Sequence, residues 1–219
     1  MKVIHVAIDG PAGSGKSTIS QLIANKLKWT HIDTGAMYRA VTLWALENKI
    51  DLEDEKAYKF LETINISYQN EKILLDGRDV SEEIRSDLVT KNVSLVSSFP
   101  YVREKMVDLQ QKAAVGLNVV MDGRDIGTVV LPNANIKVFL TANVEERAKR
   151  RFAENKAKGK NDDIKDVIED IKLRDKKDST RKESPLKKAN DAIELDTTYL
   201  TIDEVVEKII LMIEQKENE

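Results

Sequence analysis

The chain has 219 residues, 41% of them hydrophobic, which suits one α/β domain with a buried core and a small insert. Its net charge of −3 argues against a general nucleic-acid coat but leaves room for a local basic pocket that takes one small anion. With no cysteine, no secretory pattern and no run near the ~18 apolar residues of a membrane helix, the expectation is a cytoplasmic protein without disulfides, thiolate metal sites or membrane contact.

Val3, Ile4, Val6, Ala7 and Ile8 form a short apolar run of the kind that makes a buried strand. Gly10-Pro11-Ala12-Gly13-Ser14-Gly15-Lys16-Ser17-Thr18 follows and fits G-x-x-x-x-G-K-[ST], the phosphate-binding P-loop. Its glycines allow backbone turns that a Cβ forbids, so that successive N–H groups form an anion nest for phosphates. Lys16 adds a charge that can reach the β- and γ-phosphates, and the Ser17 hydroxyl is placed to hold Mg²⁺ beside them. Ile19, Leu22, Ile23 and Leu27 then fall at helical spacing, with the helix N-terminus facing the phosphates.

Trp29–Ile32 reads as a second strand, with His31 an ordinary strand residue near the surface. Asp33-Thr34-Gly35-Ala36-Met37-Tyr38-Arg39 turns through Gly35 into a helix ending near Asn48. Asn48-Lys49-Ile50-Asp51 matches the guanine-reading N-K-x-D pattern, but it follows the P-loop too soon and reads as a helix end. From Ile64 to Val80 the period shortens to strands, with turns at Gln69–Lys72 and Asp76-Gly77, and Ser81 is placed to cap a short helix.

Another helix runs from Tyr101 to about Val115, with Pro100 in its first turn. Leu117–Met121 is a buried strand that ends in Asp122-Gly123-Arg124-Asp125. The same tetrapeptide at Asp76–Asp79 reads as a β-turn; the second copy sits at a strand end, where open α/β sheets place their chemistry. After a strand at Ile136–Leu140, a charged helix from Val144 puts Arg147, Arg150 and Arg151 on one face. A second charged helix, about Ile164 to Lys182, puts Arg174, Asp178 and Arg181 on one face; by spacing alone both faces read as solvated ion-pair surfaces. Ala192–Leu195 is the last strand, and a capping box at Thr201–Glu204 opens the final amphipathic helix.

These elements predict an α/β fold: a doubly wound parallel P-loop sheet of about five strands with a small antiparallel insert and a helical lid. The expected division is one domain over 1–219. Its core is 1–63, 94–145 and 183–219, its insert about 64–93, and its lid with the basic helices about 146–182. A P-loop does not name the acceptor. Transfer to a small molecule calls for a second anion site of scattered arginines, and Arg39, Arg103, Arg124, Arg174 and Arg181 are available.

The chain resembles the bacterial-type cytidylate kinases nearly end to end. The resemblance rests on Ile8–Gly13 with Lys16, Asp33–Arg39, Phe99–Arg103, Asp122–Val130, and Arg174-Asp175 with Asp178 and Arg181. It implies ATP and Mg²⁺, with CMP or dCMP as acceptor, in a monomer with no nucleic-acid or membrane partner. It also implies catalytic roles for Lys16, Arg124 and Arg174. Arg39, Arg124 and Arg174 would grip the CMP phosphate, and Ser94, Arg103, Asp125 and Arg181 would surround the cytosine. Thr34 and Asp178 would hold the sugar or order the arginines; the family often has serine where this chain has Thr34. A P-loop kinase for another acceptor, or a nucleotide-dependent binding module, is the alternative.

Overall fold

Residues 3–69 and 72–217 are described by the structure, a computed structural model. The chain divides into two compact units, Met1–His31 with Gly116–Glu219, and Ile32–Val115. The elements run β1 (His5–Asp9), α1 (Lys16–Leu27), β2 (Thr30–Asp33), α2 (Thr34–Glu47), β3 (Ile66–Gln69), β4 (Lys72–Leu75), β5 (Arg78–Asp79), α3 (Asp87–Val96) and α4 (Pro100–Ala114). They continue through β6 (Val119–Gly123), β7 (Ile136–Thr141), α5 (Val144–Ala157), α6 (Ile164–Thr180), β8 (Ile193–Asp196) and α7 (Ile202–Glu217).

In the first unit, β1 buries Val6, Ala7 and Ile8 completely, as a strand covered on both faces must. It runs parallel to β6 and β7, and β7 runs parallel to β8. The sheet order is β2-β6-β1-β7-β8, with Thr30 and His31 of β2 in this unit. Winding away from β1 in both directions makes its C-terminal end the switch point where such sheets bind ligands. The P-loop leaves from that end. Ile19 and Ile23 of α1 and Val205, Val206, Ile209 and Ile213 of α7 pack with Val6, Ile8, Val138 and Leu140 in one core. Each such side chain contributes roughly 1.5–3 kcal/mol on burial. Helices α5 and α6 pair through Ala148, Val167 and Ile171. The capping box opening α7 forms as expected: Thr201 N donates to Glu204 Oε2 at 2.8 Å, and Glu204 N donates to Thr201 Oγ1 at 3.3 Å.

In the second unit, β3, β4 and β5 form the expected antiparallel sheet. The turn expected over Gln69–Lys72 includes Asn70 and Glu71, which lie outside the described residues. Lys49, at the end of α2, takes a left-handed φ of 55°, so the N-K-x-D match is a helix terminus. Gly35 does not make a turn; it lies inside α2, which Asp33 caps by accepting from Ala36 N at 2.9 Å. A Cβ on Gly35 would stand 3.0 Å from Asp33 Oδ1 and 3.1 Å from Arg39 Nη1, so the residue is small to let that pair close.

The short helix expected behind Ser81 is present as a 3₁₀ turn at Glu83–Arg85, but Ser81 does not cap it; its hydroxyl donates to Asp79. The helix that follows, α3, was not foreseen, since its Val, Thr, Ser and Asn residues are weak helix formers. Burial of Val89, Val93 and Val96 on one face overrides that preference. A 3₁₀ helix at Glu55–Glu62 and a π-turn at Ile126–Val130 were likewise not foreseen.

Candidate active site

The P-loop geometry follows from its glycines. Gly10 has φ 154°, and a Cβ there would lie 2.2 Å from the Leu140 carbonyl oxygen. Gly15 precedes α1 with a left-handed φ of 88°, and no side chain caps the helix. The first-turn N–H groups are thus left to serve an anion. Lys16 is buried, and its Nζ donates to Pro11 O at 2.7 Å and to Ser14 Oγ at 3.3 Å. Burial holds the Lys16 amine well below the usual lysine range. The Arg124 charge pushes it further down, Asp122 opposes, Arg174 adds to the fall, and Asp9 opposes. Lys16, Arg124 and Arg174 therefore lie near enough to repel one another, and Asp9, Asp122 and Asp178 offset part of that repulsion.

Two carboxylates at strand ends organise this place. Asp122, at 2% exposure, accepts from Ser17 Oγ at 2.8 Å on one oxygen, and His31 Nε2 lies 2.7 Å from the other. Asp9 accepts from the backbone N–H groups of Ile126 and Gly127, both at 2.7 Å, and so pins the turn after Arg124 and Asp125. Burial lifts the Asp9 pKa to about 6, against the pull of those two bonds.

Arg124 Nε donates to Asp178 Oδ2 at 2.8 Å, and Arg181 Nη2 lies 3.8 Å from Asp125 Oδ1. Burial pushes the Asp178 pKa up. The charges of Arg124 and Arg174, the Arg124 hydrogen bond and the Arg181 charge outweigh it, and the carboxyl stays below its usual range. The first unit thus brings together Lys16, Ser17, Arg124, Asp125, Arg174, Asp178 and Arg181. One reading changes: α6 ends at Thr180, and Arg181 extends beyond it with φ −62° and ψ 147° rather than sharing the helix face. Its Nε donates to Ser184 O at 2.7 Å, which fixes the departure.

The second unit carries the other candidates. Thr34 is buried at the start of α2. Arg39 Nη2 donates to Asp33 Oδ2 at 3.0 Å, while its buried Nε has no hydrogen-bond partner. Arg103 is 4% exposed, donates from Nη1 to Ser97 O at 3.1 Å, and lies 5.5 Å over the Tyr38 ring. Ser94 is half-buried on α3.

Sequence reasoning missed Asp9, His31 and Asp122, and it misread Arg147. The Arg147 side chain is buried, pairs with Asp175 at 2.7 Å and donates to the P-loop carbonyl of Ala12 at 3.0 Å, so its face is not solvated. Asp122 had one signal, its place at the head of a strand-end tetrapeptide. His31 had none, because its partner is 91 residues away.

The donor set suits magnesium. That ion takes few protein oxygens and completes its shell with substrate phosphates and water. The Ser17 hydroxyl backed by Asp122 is such a set, and no cluster of three or more acidic, His or Cys ligands occurs among the described residues.

A family model for cytidylate kinase matches residues 6–215. The cytidylate kinase of Acholeplasma laidlawii is 58% identical over 98% of this chain and 96% of its own length. That of Lactobacillus johnsonii is 53% identical over 98% and 96%. Among solved structures, an uncharacterized protein from Eubacterium ventriosum shares the fold with a TM-score of 0.54 at 15% identity, covering 98% of this chain and 99% of that one. With a P-loop, a strand-end carboxylate pair and an arginine cluster all in place, and with relatives matched along their whole length, the chain belongs to the cytidylate kinase family.

Proposed function

We propose that the protein transfers the γ-phosphoryl group of ATP to CMP or dCMP, giving ADP and CDP or dCDP. The observation that carries this reading is that Lys16 of the phosphate loop lies close enough to Arg124 and Arg174 to feel both charges, so that one place offers the loop and a second set of anion-binding side chains. Phosphoryl transfer asks for positioning and charge compensation rather than covalent help. The P-loop N–H groups from Gly10 to Thr18 and Lys16 hold the ATP phosphates. Magnesium, held at the Ser17 hydroxyl together with those phosphates, supplies charge neutralisation when bound. Arg124 and Arg174, ordered by Asp178, hold the acceptor phosphate, and Arg39 and Thr34 are assigned to the same substrate. The acceptor is already a phosphate oxygen, so no general base is required.

Cytosine offers an amino donor at N4 and acceptors at N3 and O2. An ionised Asp125 accepts from N4, while Arg103, Arg181 and Ser94 donate to the acceptors. Uracil reverses the first two of these groups and would leave buried polar groups unpaired, which is the strongest available basis for discrimination. The α5–α6 pair acts as the lid, closing over the reactants to exclude water and suppress ATP hydrolysis. Acting on free mononucleotides, the enzyme needs neither nucleic acid nor membrane, and we take it as a cytoplasmic monomer.

Coupled measurement of ADP formation with Mg²⁺ and CMP, dCMP, UMP or AMP tests the whole assignment. Fast turnover with CMP and dCMP alone is expected. If no monophosphate stimulates turnover, the acceptor site falls and a nucleotide-binding module takes its place.

A further inference from the structure

His31 is one of only two histidines, and nothing in the phosphate-transfer scheme above uses it. Its Nε2 stands 2.7 Å from Asp122 Oδ1, while Asp122 Oδ2 accepts from Ser17 Oγ at 2.8 Å. The three side chains therefore form one continuous hydrogen-bonded line from β2, through the C-terminal part of β6, to the first turn of α1. The Asp122 side chain is 3% exposed and His31 15%, whereas Ser17 is exposed at the loop. The line thus runs from a sheltered anchor to an open hydroxyl.

Each link has a direction. An ionised carboxylate can only accept, so the imidazole nitrogen facing Asp122 carries a proton, whether the ring is neutral or charged. Ser17 likewise spends its only proton on Asp122, which turns its oxygen lone pairs away from the carboxylate. A hydroxyl in that state is a better oxygen ligand for a hard cation than one free to rotate. The torsion of the Asp122 carboxylate decides where the Ser17 oxygen points, and a second hydrogen bond, on the other oxygen, restricts that torsion further. His31 makes that second bond.

We propose that His31 is a positioning residue for the nucleotide's magnesium: it fixes Asp122, and through Asp122 the Ser17 hydroxyl, without touching the nucleotide itself. The inference rests on the phosphate-loop reading of the site and not on the identity of the acceptor.

The test is calorimetric binding of ADP, with and without Mg²⁺, to the wild-type chain, His31→Phe and His31→Gln. Phenylalanine keeps the ring volume and removes the donor, while glutamine restores an N–H at similar reach. Outer-shell partners of metal ligands typically change metal affinity by tens of fold, so His31→Phe is expected to cut the Mg²⁺-dependent gain in ADP affinity by about tenfold. Its Mg²⁺-free affinity should be unchanged, and His31→Gln should recover the gain to within about twofold of wild type. In an Asp122→Ala background, His31→Phe should change nothing further, because its effect passes through that carboxylate. Equal losses with and without Mg²⁺, an intact gain in a folded His31→Phe, or additive effects in the double variant would each overturn the proposal. A wild-type chain that fails to bind ADP at all would overturn the phosphate-loop reading as well, which separates the two failures.

Discussion

The chain contains Asp-Gly-Arg-Asp twice, and the two copies have nothing in common but their letters. At Asp76–Asp79 the first two residues, Asp76 and Gly77, take φ values of 50° and 82°, the twin left-handed residues of a two-residue hairpin loop between β4 and β5. Arg78 pairs with Glu47 on the surface at 2.7 Å, with side chains 50% and 39% exposed, and Asp79 pairs with Lys72. At Asp122–Asp125 the first two residues finish the buried strand β6, and both carboxylates are below 4% exposure. There the same letters face Ser17, His31, Asp178 and Arg181. A surface ion pair contributes at most about 1 kcal/mol, while buried charges must be matched by partners or by a ligand. The difference teaches that chemistry is assigned by what precedes a motif, an isolated hairpin or a central parallel strand.

The largest separation between the copies should come from their arginines. Arg124→Met is expected to lower kcat about a thousandfold, in the range of an arginine that stabilises phosphoryl transfer, with ADP binding nearly intact. Arg78→Met, the same change in the other copy, should leave kcat within about twofold and cost less than ~1 kcal/mol in urea melts. Steady-state kinetics on both variants decide the matter. Comparable kinetic losses in the two would remove the functional distinction altogether.

What pins each turn gives the next contrast. The second copy is held by Asp9, whose carboxyl accepts from Ile126 N and Gly127 N. Its pKa is raised from 3.8 to about 6, chiefly by burial. A raised folded-state pKa means that the native state binds the proton more tightly than the unfolded chain. The associated stability is fully present below about pH 4 and is lost as pH rises through about 6. At 1.36 kcal/mol per unit, that shift amounts to about 3 kcal/mol. Urea denaturation of wild type and Asp9→Asn at several pH values should therefore show wild type gaining about 3 kcal/mol on the variant between pH 7 and pH 4. A constant difference across that range would mean that Asp9 is not the titrating group.

The carboxylates at the ends of the tetrapeptides should separate by specificity rather than rate. Asp125→Asn replaces an acceptor-only group with one that can also donate, and it is expected to narrow the CMP-over-UMP ratio of kcat/KM about a hundredfold. Asp79→Asn should leave that ratio where it is. Competition between CMP and UMP in one reaction reads the ratio directly, and an unchanged ratio in Asp125→Asn would move the cytosine contact elsewhere.

Much of this was legible in the sequence because it is local. The P-loop, the hairpin of the first tetrapeptide and the capping box at Thr201 each carry their whole signal within ten residues. The parallel sheet followed from apolar runs punctuated by helical spacing. What escaped notice depends on tertiary partners. Arg147 sits on a face that spacing alone marks as solvated, yet it reaches a P-loop carbonyl 135 residues earlier. His31 and Asp9 act on residues 91 and 117 positions away. Helix α3 escaped because burial of three valines outweighs weak helix propensity, a contest that no local window can judge.

The smallest effect concerns the glycine of the first copy. Gly77 has φ 82°, and a Cβ added there would meet nothing within 4 Å. Substitution therefore meets no neighbouring group, and Gly77→Ala isolates the local backbone cost of a left-handed residue, about 1–2 kcal/mol. Asparagine tolerates that region better than alanine, so Gly77→Asn should recover a good part of the loss. Gly123, its counterpart, is there for another reason, since it continues β6 opposite Asp9 in the parallel ladder and needs no left-handed φ. Urea melts of Gly77→Ala and Gly77→Asn, run beside CMP turnover, should show a stability loss in that order with turnover unchanged. A loss of turnover at matched stability would mean that the hairpin copy reaches the chemistry after all, and the contrast between the two tetrapeptides would have to be redrawn.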